Sequence, residues 1–194
     1  MTTPRVARAT EMAPLQTQRL VLRPFRPGDF DQLQRIVDHP AVRESNGEEP
    51  RALTAAAQAQ KGRSSKRGGN LELAIVVRRT GRVAGACELI IGPRRSGEIG
   101  YLLGRRYWGH GYATEVARAL VAYGFDGLGL RQLYAIVSLD NPRSRRVLEK
   151  AGFAWDALLR RRGRATGPAL DTERYVRSSA STGSSPCRAM RSRR

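Results

Sequence analysis

The sequence predicts one mixed α/β domain of the α+β kind, with strands and helices sharing a single core. Three observations carry that expectation. Apolar residues recur with the period of a strand in some segments and of a helix in others. Two strand-like segments, 71–77 and 83–91, flank a short polar turn as in a β-hairpin. A glycine-bearing loop then stands between a strand and a long amphipathic helix. With 194 residues and 40% hydrophobic side chains, the chain is long enough to bury a core without disulfides or a structural metal.

The elements follow in order. Residues 1–15 are mixed and polar and read as a flexible N-terminus. Arg19–Phe25 is apolar at Leu20, Val21, Leu22 and Phe25 and reads as a strand. Pro27 and Gly28 make a turn, and Asp29, with Gln32 three residues on, has the spacing of a capping box. That helix is expected to reach about Asp38 and stop before Pro40. Residues 48–61 favour a second helix, and 62–70 a polar loop. The hairpin strands 71–77 and 83–91 come next, then a turn at 92–97 and a strand at 98–103. After the glycine-bearing loop, Val116, Ala117, Leu120, Val121 and Phe125 fall on one face of a helix reaching about Leu128, ended by Gly127 and Gly129. Leu133–Ser138 reads as a strand. Asn141 and Pro142 supply the N-cap and first residue of another helix, which Gly152 ends. Weaker strands are expected near 153–159 and 172–176. Residues 178–194 hold six serines, four arginines and no acid, and read as a disordered basic tail. The folded domain is thus expected to span 16–177, with no internal repeat.

The formal net charge is +18, a value that suggests nucleic-acid or anionic-membrane binding. Its distribution argues otherwise. The basic residues are 32 arginines and three lysines, a skew that a GC-rich coding sequence would produce. Residues 160–194 carry net +8, which leaves net +9 on residues 15–159. No basic stripe is interleaved with aromatics, and no helix-turn-helix or RNP signature is present, so nucleic-acid binding stands only as the alternative reading. Cys87 and Cys187 lie 100 residues apart, with no metal-ligand spacing and no metal expected. The longest apolar run is too short to span a membrane and no secretory segment follows Met1, so a cytoplasmic protein with no membrane partner is expected.

The segment with the most chemistry is Arg106-Tyr107-Trp108-Gly109-His110-Gly111-Tyr112-Ala113-Thr114. Glycines at 109 and 111 let the backbone turn tightly and approach a ligand. The free N–H groups and positive dipole end of the following helix make an anion seat, and Arg106 adds a full charge. A phosphate or pyrophosphate is the expected ligand. A Walker loop needs a Lys followed by Ser/Thr after its last glycine, and no such pair is here; a Rossmann fingerprint needs a third glycine where Thr114 stands.

Downstream lies Asn141-Pro142-Arg143-Ser144-Arg145-Arg146-Val147-Leu148-Glu149-Lys150-Ala151-Gly152-Phe153. Together the RxxGxGxA loop and this NxxSxxxLEKxGF segment resemble the GNAT acetyltransferase superfamily. The EIGYLL run before the loop and the opening TQRLVLRPFRPGDF resemble its ribosomal-protein N-acetyltransferase branch, the RimJ/RimL type. The resemblance covers about residues 16–177. It implies a mixed, mostly antiparallel central sheet with helices on both faces, and a splayed strand pair, here 98–103 and 133–138, that admits acetyl-coenzyme A. It implies that the backbone of Tyr101, Leu102 and Leu103 bonds the pantetheine arm, and that N–H groups from Trp108 through Gly109, His110, Gly111, Tyr112 and Ala113 hold the pyrophosphate with the Thr114 hydroxyl. Asn141 and Ser144 would lie near the thioester, and Arg143, Arg145 and Arg146 toward the 3′-phosphate.

The implied activity is acetyl transfer from acetyl-CoA to a primary amine, on a protein N-terminus or a small molecule, by direct attack in a ternary complex. A neutral amine must attack the thioester, and an α-amine with a pKa of about 7.7–8.0 is partly neutral near pH 7. A carboxylate base, for which Glu98 and then Glu88 are the candidates, contributes roughly 10²–10⁴-fold. A strand N–H near Leu103 would stabilise the oxyanion. The tyrosine acid common in the superfamily falls at Leu148 here, which cannot donate a proton, so Ser144 becomes the candidate donor to sulfur. A coenzyme A-binding module without turnover is a further alternative. The assembly is expected to be a monomer or homodimer.

Overall fold

The computed structural model describes residues 13–46, 70–160 and 171–179. The expected helix at 48–61, nearly all of the loop at 62–70 and most of both termini lie outside the described residues. Eight strands form one sheet: β1 (Leu15–Gln16), β2 (Leu20–Pro24), β3 (Leu71–Val77), β4 (Val83–Ile91), β5 (Ser96–Leu103), β6 (Gln132–Ser138), β7 (Ala154–Arg160) and β8 (Asp171–Ser178). Their spatial order is β1-β2-β3-β4-β5-β6-β8-β7. Every neighbouring pair is antiparallel except β5–β6. Among the described residues four α-helices accompany them: α1 (Asp29–Val37), α2 (Pro40–Asn46), α3 (Tyr112–Ala122) and α4 (Pro142–Lys150).

The alternation of β3 explains the two-layered core. Leu71, Leu73, Ile75 and Val77 face the larger cluster, with Val116, Leu120 and Leu148 of α3 and α4. Ala74 and Val76 face a second cluster, with Leu33, Ile36 and Val37 of α1 and Val42 of α2. A strand buried on both faces reads as a near-continuous apolar run, which is why LELAIVV shows little polar alternation. Truncating a fully buried leucine such as Leu33 or Leu120 to alanine costs about 2–5 kcal/mol.

Several boundaries differ from expectation. Leu15 pairs with Leu22 in the sheet, and Ser179 N–H bonds Arg131 O at 2.9 Å, one residue before 16 and two after 177. Asp29 does not cap α1. Gly28, at φ 88°, takes the N-cap position, and Asp29 becomes the first helical residue. Its carboxylate is buried and accepts from Arg23 Nη1 and Nη2 at 2.6 and 3.0 Å and from Arg26 N–H at 2.7 Å. The ion pair outweighs the local capping preference. Gln32 instead accepts from Val83 N–H at 3.2 Å and ties α1 to β4. A short second helix, α2, begins at Pro40, where only a stop was expected; Pro suits a first helical turn. The long helix ends its α-helical part at Ala122 and closes with a π turn at Tyr123–Gly127.

Candidate active site

The site begins with a break in the sheet. β5 and β6 pair only at Ser96–Gln132, Gly97–Leu133 and Glu98–Tyr134. Beyond Glu98 the two strands part, leaving a wedge-shaped gap whose apex is at Glu98 and Tyr134. The phase of the β4–β5 ladder sets what lines it. Gly92 N–H bonds Ser96 O and Gly104 N–H bonds Ala84 O, each at 2.9 Å. Even-numbered residues of β5 therefore turn their peptide groups toward β4, while Ile99, Tyr101 and Leu103 turn theirs toward the gap. Leu103 O accepts from Trp108 Nε1 at 2.7 Å. The peptide groups of Ile99 and Tyr101 and the N–H of Leu103 remain as an open strand edge, suited to an extended amide-bearing chain. Leu102, expected among the backbone contacts, faces β4 and packs against α1 and α2; only its neighbours face the gap.

At the wide end of the gap, Gly104 leads through a single 3₁₀ turn at Arg105–Tyr107 into the glycine loop. Gly109 and Gly111 have φ of 79° and 78°, the left-handed conformation that glycine adopts without penalty. No atom lies within 4 Å of where a Cβ on Gly109 would sit, so the loop offers open space to a ligand. Gly111 is the N-cap of α3 and brings no side-chain cap. The first helical bond there is Glu115 N–H to Gly111 O at 3.1 Å, which leaves the N–H groups of Tyr112, Ala113 and Thr114 without helical partners. Gap and loop together fit a pantetheine arm followed by a pyrophosphate.

The flanking residues are braced by contacts with no local signal in the sequence. Arg19 Nη1 donates to His110 O at 2.8 Å, and its guanidinium lies 4.7 Å from the Tyr112 ring centre. Arg19 also pairs with Glu115 at 2.7 Å, and Thr17 Oγ1 donates to Glu115 at 2.5 Å. Burial alone would raise the Glu115 pKa, but the bonds from Thr17 and Arg19 hold it below the usual value. His110 Nδ1 lies 2.7 Å from Trp108 O, and its ring stacks on Tyr112. Trp108 is flanked by Arg105 and Arg143, 5.1 and 5.0 Å from its ring centre.

Of the expected arginines, Arg106 is exposed with its guanidinium 5.2 Å over Tyr107, and Arg146 is exposed on α4. Arg145 is a correction. It donates to Leu139 O at 2.9 Å and lies 3.6 Å from Glu173, which leaves it bracing the start of α4 rather than facing a phosphate.

The start of α4 meets the gap. Asn141 caps it, accepting from Ser144 N–H at 3.0 Å, and its Nδ2 donates to Ser45 O at 3.2 Å, joining α4 to the end of α2. Ser144 Oγ lies 2.9 Å from the Tyr101 hydroxyl, a contact across the gap that no spacing foretold. Burial pushes the Tyr101 phenol up to about 12 against the lowering effect of Ser144, so it stays protonated. Leu148 is fully buried in the core.

The two candidate bases share the opposite face of the sheet. Glu98 stands at the apex. Glu88 lies across from Gly100 on β4, and its Oε1 is 2.8 Å from where a Cβ on Gly100 would sit. Glu88 is therefore level with Gly100 and Tyr101, while Glu98 is set back toward the apex.

Comparison with known proteins agrees with this geometry. Residues 19–154 match the family model of the acetyltransferase (GNAT) domain. The chain is 33% identical over 167 residues to an uncharacterized N-acetyltransferase, p20, of Bacillus licheniformis, covering 82% of this chain and 93% of that one. Its fold is similar to a GNAT-family acetyltransferase from Bacillus anthracis, with a TM-score of 0.73 at 20% identity, covering 86% of this chain and 98% of the other. It is also similar to a spermidine N-acetyltransferase from Vibrio cholerae in complex with CoA and spermine, with a TM-score of 0.67 at 19% identity over 84% and 96% of the two chains.

Proposed function

Since this chain belongs to the GNAT acetyltransferase family and is an N-acetyltransferase that uses acetyl-CoA, we propose that it acetylates a primary amine by direct attack within a ternary complex held in the β5–β6 gap. The observation that carries the reading is the gap itself, with an unpaired strand edge running up to a glycine loop and a free helix N-terminus. The resemblance of the opening segment and the EIGYLL run to the RimJ/RimL type supports an acceptor on a protein N-terminus. A small-molecule amine is the second class to be screened, because the similar Vibrio cholerae enzyme is described with spermine.

Acetyl-CoA supplies the acetyl thioester. The N–H groups of Gly111, Tyr112, Ala113 and Thr114 and the Arg106 guanidinium hold its pyrophosphate, while Leu103 N–H and the Tyr101 backbone hold the arm. Strands rise about 3.3 Å per residue, so Leu103 lies roughly 17 Å along β5 from Glu98. The oxyanion donor is better placed at Tyr101 N–H, level with both Glu88 and Ser144. Glu88, in place of the first-ranked Glu98, takes the proton from the attacking amine, directly or through one water. The new C–N bond forms as the C–S bond breaks, and Tyr101 N–H bonds the developing oxyanion. Ser144 Oγ–H donates a hydrogen bond to the departing thiolate, which takes its proton from solvent, and the Tyr101 hydroxyl orients Ser144; Asn141 fixes the turn that presents it.

The test is thiol release from acetyl-CoA with a panel of N-terminal peptides, polyamines and amino sugars, read alongside mass spectrometry of the acceptor. Turnover with at least one class is expected. Coenzyme A binding without release from any acceptor would replace the enzyme by a binding module.

A further inference from the structure

A second feature lies behind the closed end of this gap, on the other side of the paired residues Ser96–Glu98 and Gln132–Tyr134. A cavity of about 1210 Å³ opens at the other end of α3, where the last turns of α3 and α4 meet the starts of β5 and β6 and the end of β8. On α3 its lining begins at Arg118, six residues and roughly 9 Å along the helix from Tyr112, and runs on past the helix end. Five cationic side chains line it, Arg95, Arg118, Arg131, Lys150 and Arg177, against a single carboxylate, Asp126. Among the described residues none of the five forms an ion pair.

Part of this charge has a structural task. Arg118 donates to Lys150 O at 3.0 Å, and Arg177 donates to Ala151 O, so both satisfy carbonyls at the C-terminus of α4. Each guanidinium has five N–H donors, so most of its capacity is left over. Among the described residues, the side chains of Arg95, Arg131 and Lys150 have no such task. Their positions are not incidental to the backbone either. Arg94 and Arg95 are the only non-glycine residues at positive φ among the described residues, at 55° and 59°, a conformation that persists where surroundings hold it. Gly129 and Gly152, at φ 62° and 83°, make room for the arginines: a Cβ there would lie 2.6 Å from Arg95 Nη2 and 2.9 Å from Arg177 Nη1.

We propose that this cavity is a second ligand site, separate from the acetyl-CoA gap, that binds a small polyphosphorylated molecule of about nucleotide size. Guanidinium groups suit phosphate oxygens, which they bond through paired N–H donors. A run of two or more phosphates matches several cations around one concavity better than a single anion does. The concavity is broad and open to solvent, which leaves room for a ligand of nucleotide size to lie along it. Phe125, half-buried and with the Arg177 guanidinium 5.9 Å from its ring centre, gives the cavity an apolar edge.

The experiment is calorimetric titration of the full-length chain at low salt with tripolyphosphate and with ATP, in saturating coenzyme A so that the gap is filled. Binding of both probes is expected, weakening as salt rises. The Arg131→Glu, Lys150→Glu double variant changes two exposed side chains outside the acetyl-transfer machinery. It should lower the affinity for either probe roughly tenfold or more while thiol release from acetyl-CoA is unchanged. Absence of binding, displacement of the probes by coenzyme A, or equal affinity in the variant would overturn the proposal. So would binding of a single-stranded RNA oligonucleotide without binding of tripolyphosphate, which would point to an extended nucleic-acid surface. Because the measurement does not depend on turnover, its failure leaves the acetyltransferase reading intact, and the reverse also holds.

Discussion

Replacing Gly100 by alanine probes the proposed base without touching it. A Cβ at this position would lie 2.8 Å from Glu88 Oε1, 2.9 Å from its Cγ and 3.3 Å from its Cδ. Comfortable non-bonded contacts fall near 3.5–4.0 Å, so the end of Glu88 must withdraw by roughly 0.5–1 Å. The obstacle is a flexible side chain, and Gly100 is not at positive φ, so the sheet should survive with little loss of stability. A displacement of about 1 Å at a reacting group can cost on the order of 10²-fold, or about 2.7 kcal/mol of barrier. Glu88→Gln should cost roughly 10²–10⁴-fold in kcat. Steady-state thiol release then makes three demands. Gly100→Ala lowers kcat with the KM for acetyl-CoA nearly unchanged, Glu88→Gln lowers it further, and the double variant is no worse than Glu88→Gln alone. Wild-type kcat in Gly100→Ala, or fully multiplicative losses in the double variant, would refute the assignment; a large loss in Glu98→Gln alone would return the role to the apex.

Gly109→Glu places an anion at the proposed pyrophosphate seat in open space, so it should abolish measurable acetyl-CoA binding while the left-handed backbone costs about 1–3 kcal/mol of stability; calorimetry and thermal melting separate the two effects. Ser144→Ala and Tyr101→Phe should each lower kcat, and the pair together should lose little more than Ser144→Ala, because the 2.9 Å contact makes them one unit. With the Tyr101 phenol pushed up to about 12, no alkaline loss of rate below about pH 10 should depend on Tyr101, which a pH profile of Tyr101→Phe checks. Glu115 has a lowered pKa, so its contribution to stability is present above its unfolded value of about 4.3 and is lost as pH falls through the folded one. The melting-temperature gap between wild type and Glu115→Gln should be open at pH 7 and narrow as the pH falls below the unfolded value.

The hairpin at 71–91 was legible because LELAIVV and VAGACELII are apolar runs of strand length around a glycine turn, and both strands end where the sequence places them. The N-cap at Asn141 was legible for the same local reason, since cap and first turn are neighbours in the chain. Asp29 was misplaced by one position because its partner, Arg23, lies on a strand, and the strength of that buried pair has no trace in helix-cap statistics. The brace of Thr17 and Arg19 on Glu115 and His110 spans more than 90 residues and leaves no periodic mark. Glu98 was favoured as base because it heads a strand. The nearness of Glu88 to Gly100 depends on the register of β4 against β5, which two separate apolar segments do not declare.

By itself the sequence determined the kinds of element, the glycine loop, the capped helix after it and the family they resemble, because each rests on neighbours within a few residues. The tertiary structure decided where β5 and β6 part, which peptide groups face the gap, which carboxylate lies across from Gly100, and which five cationic side chains line one concavity. Those are outcomes of strand register and of contacts between distant segments, and they are set only when the whole sheet has assembled.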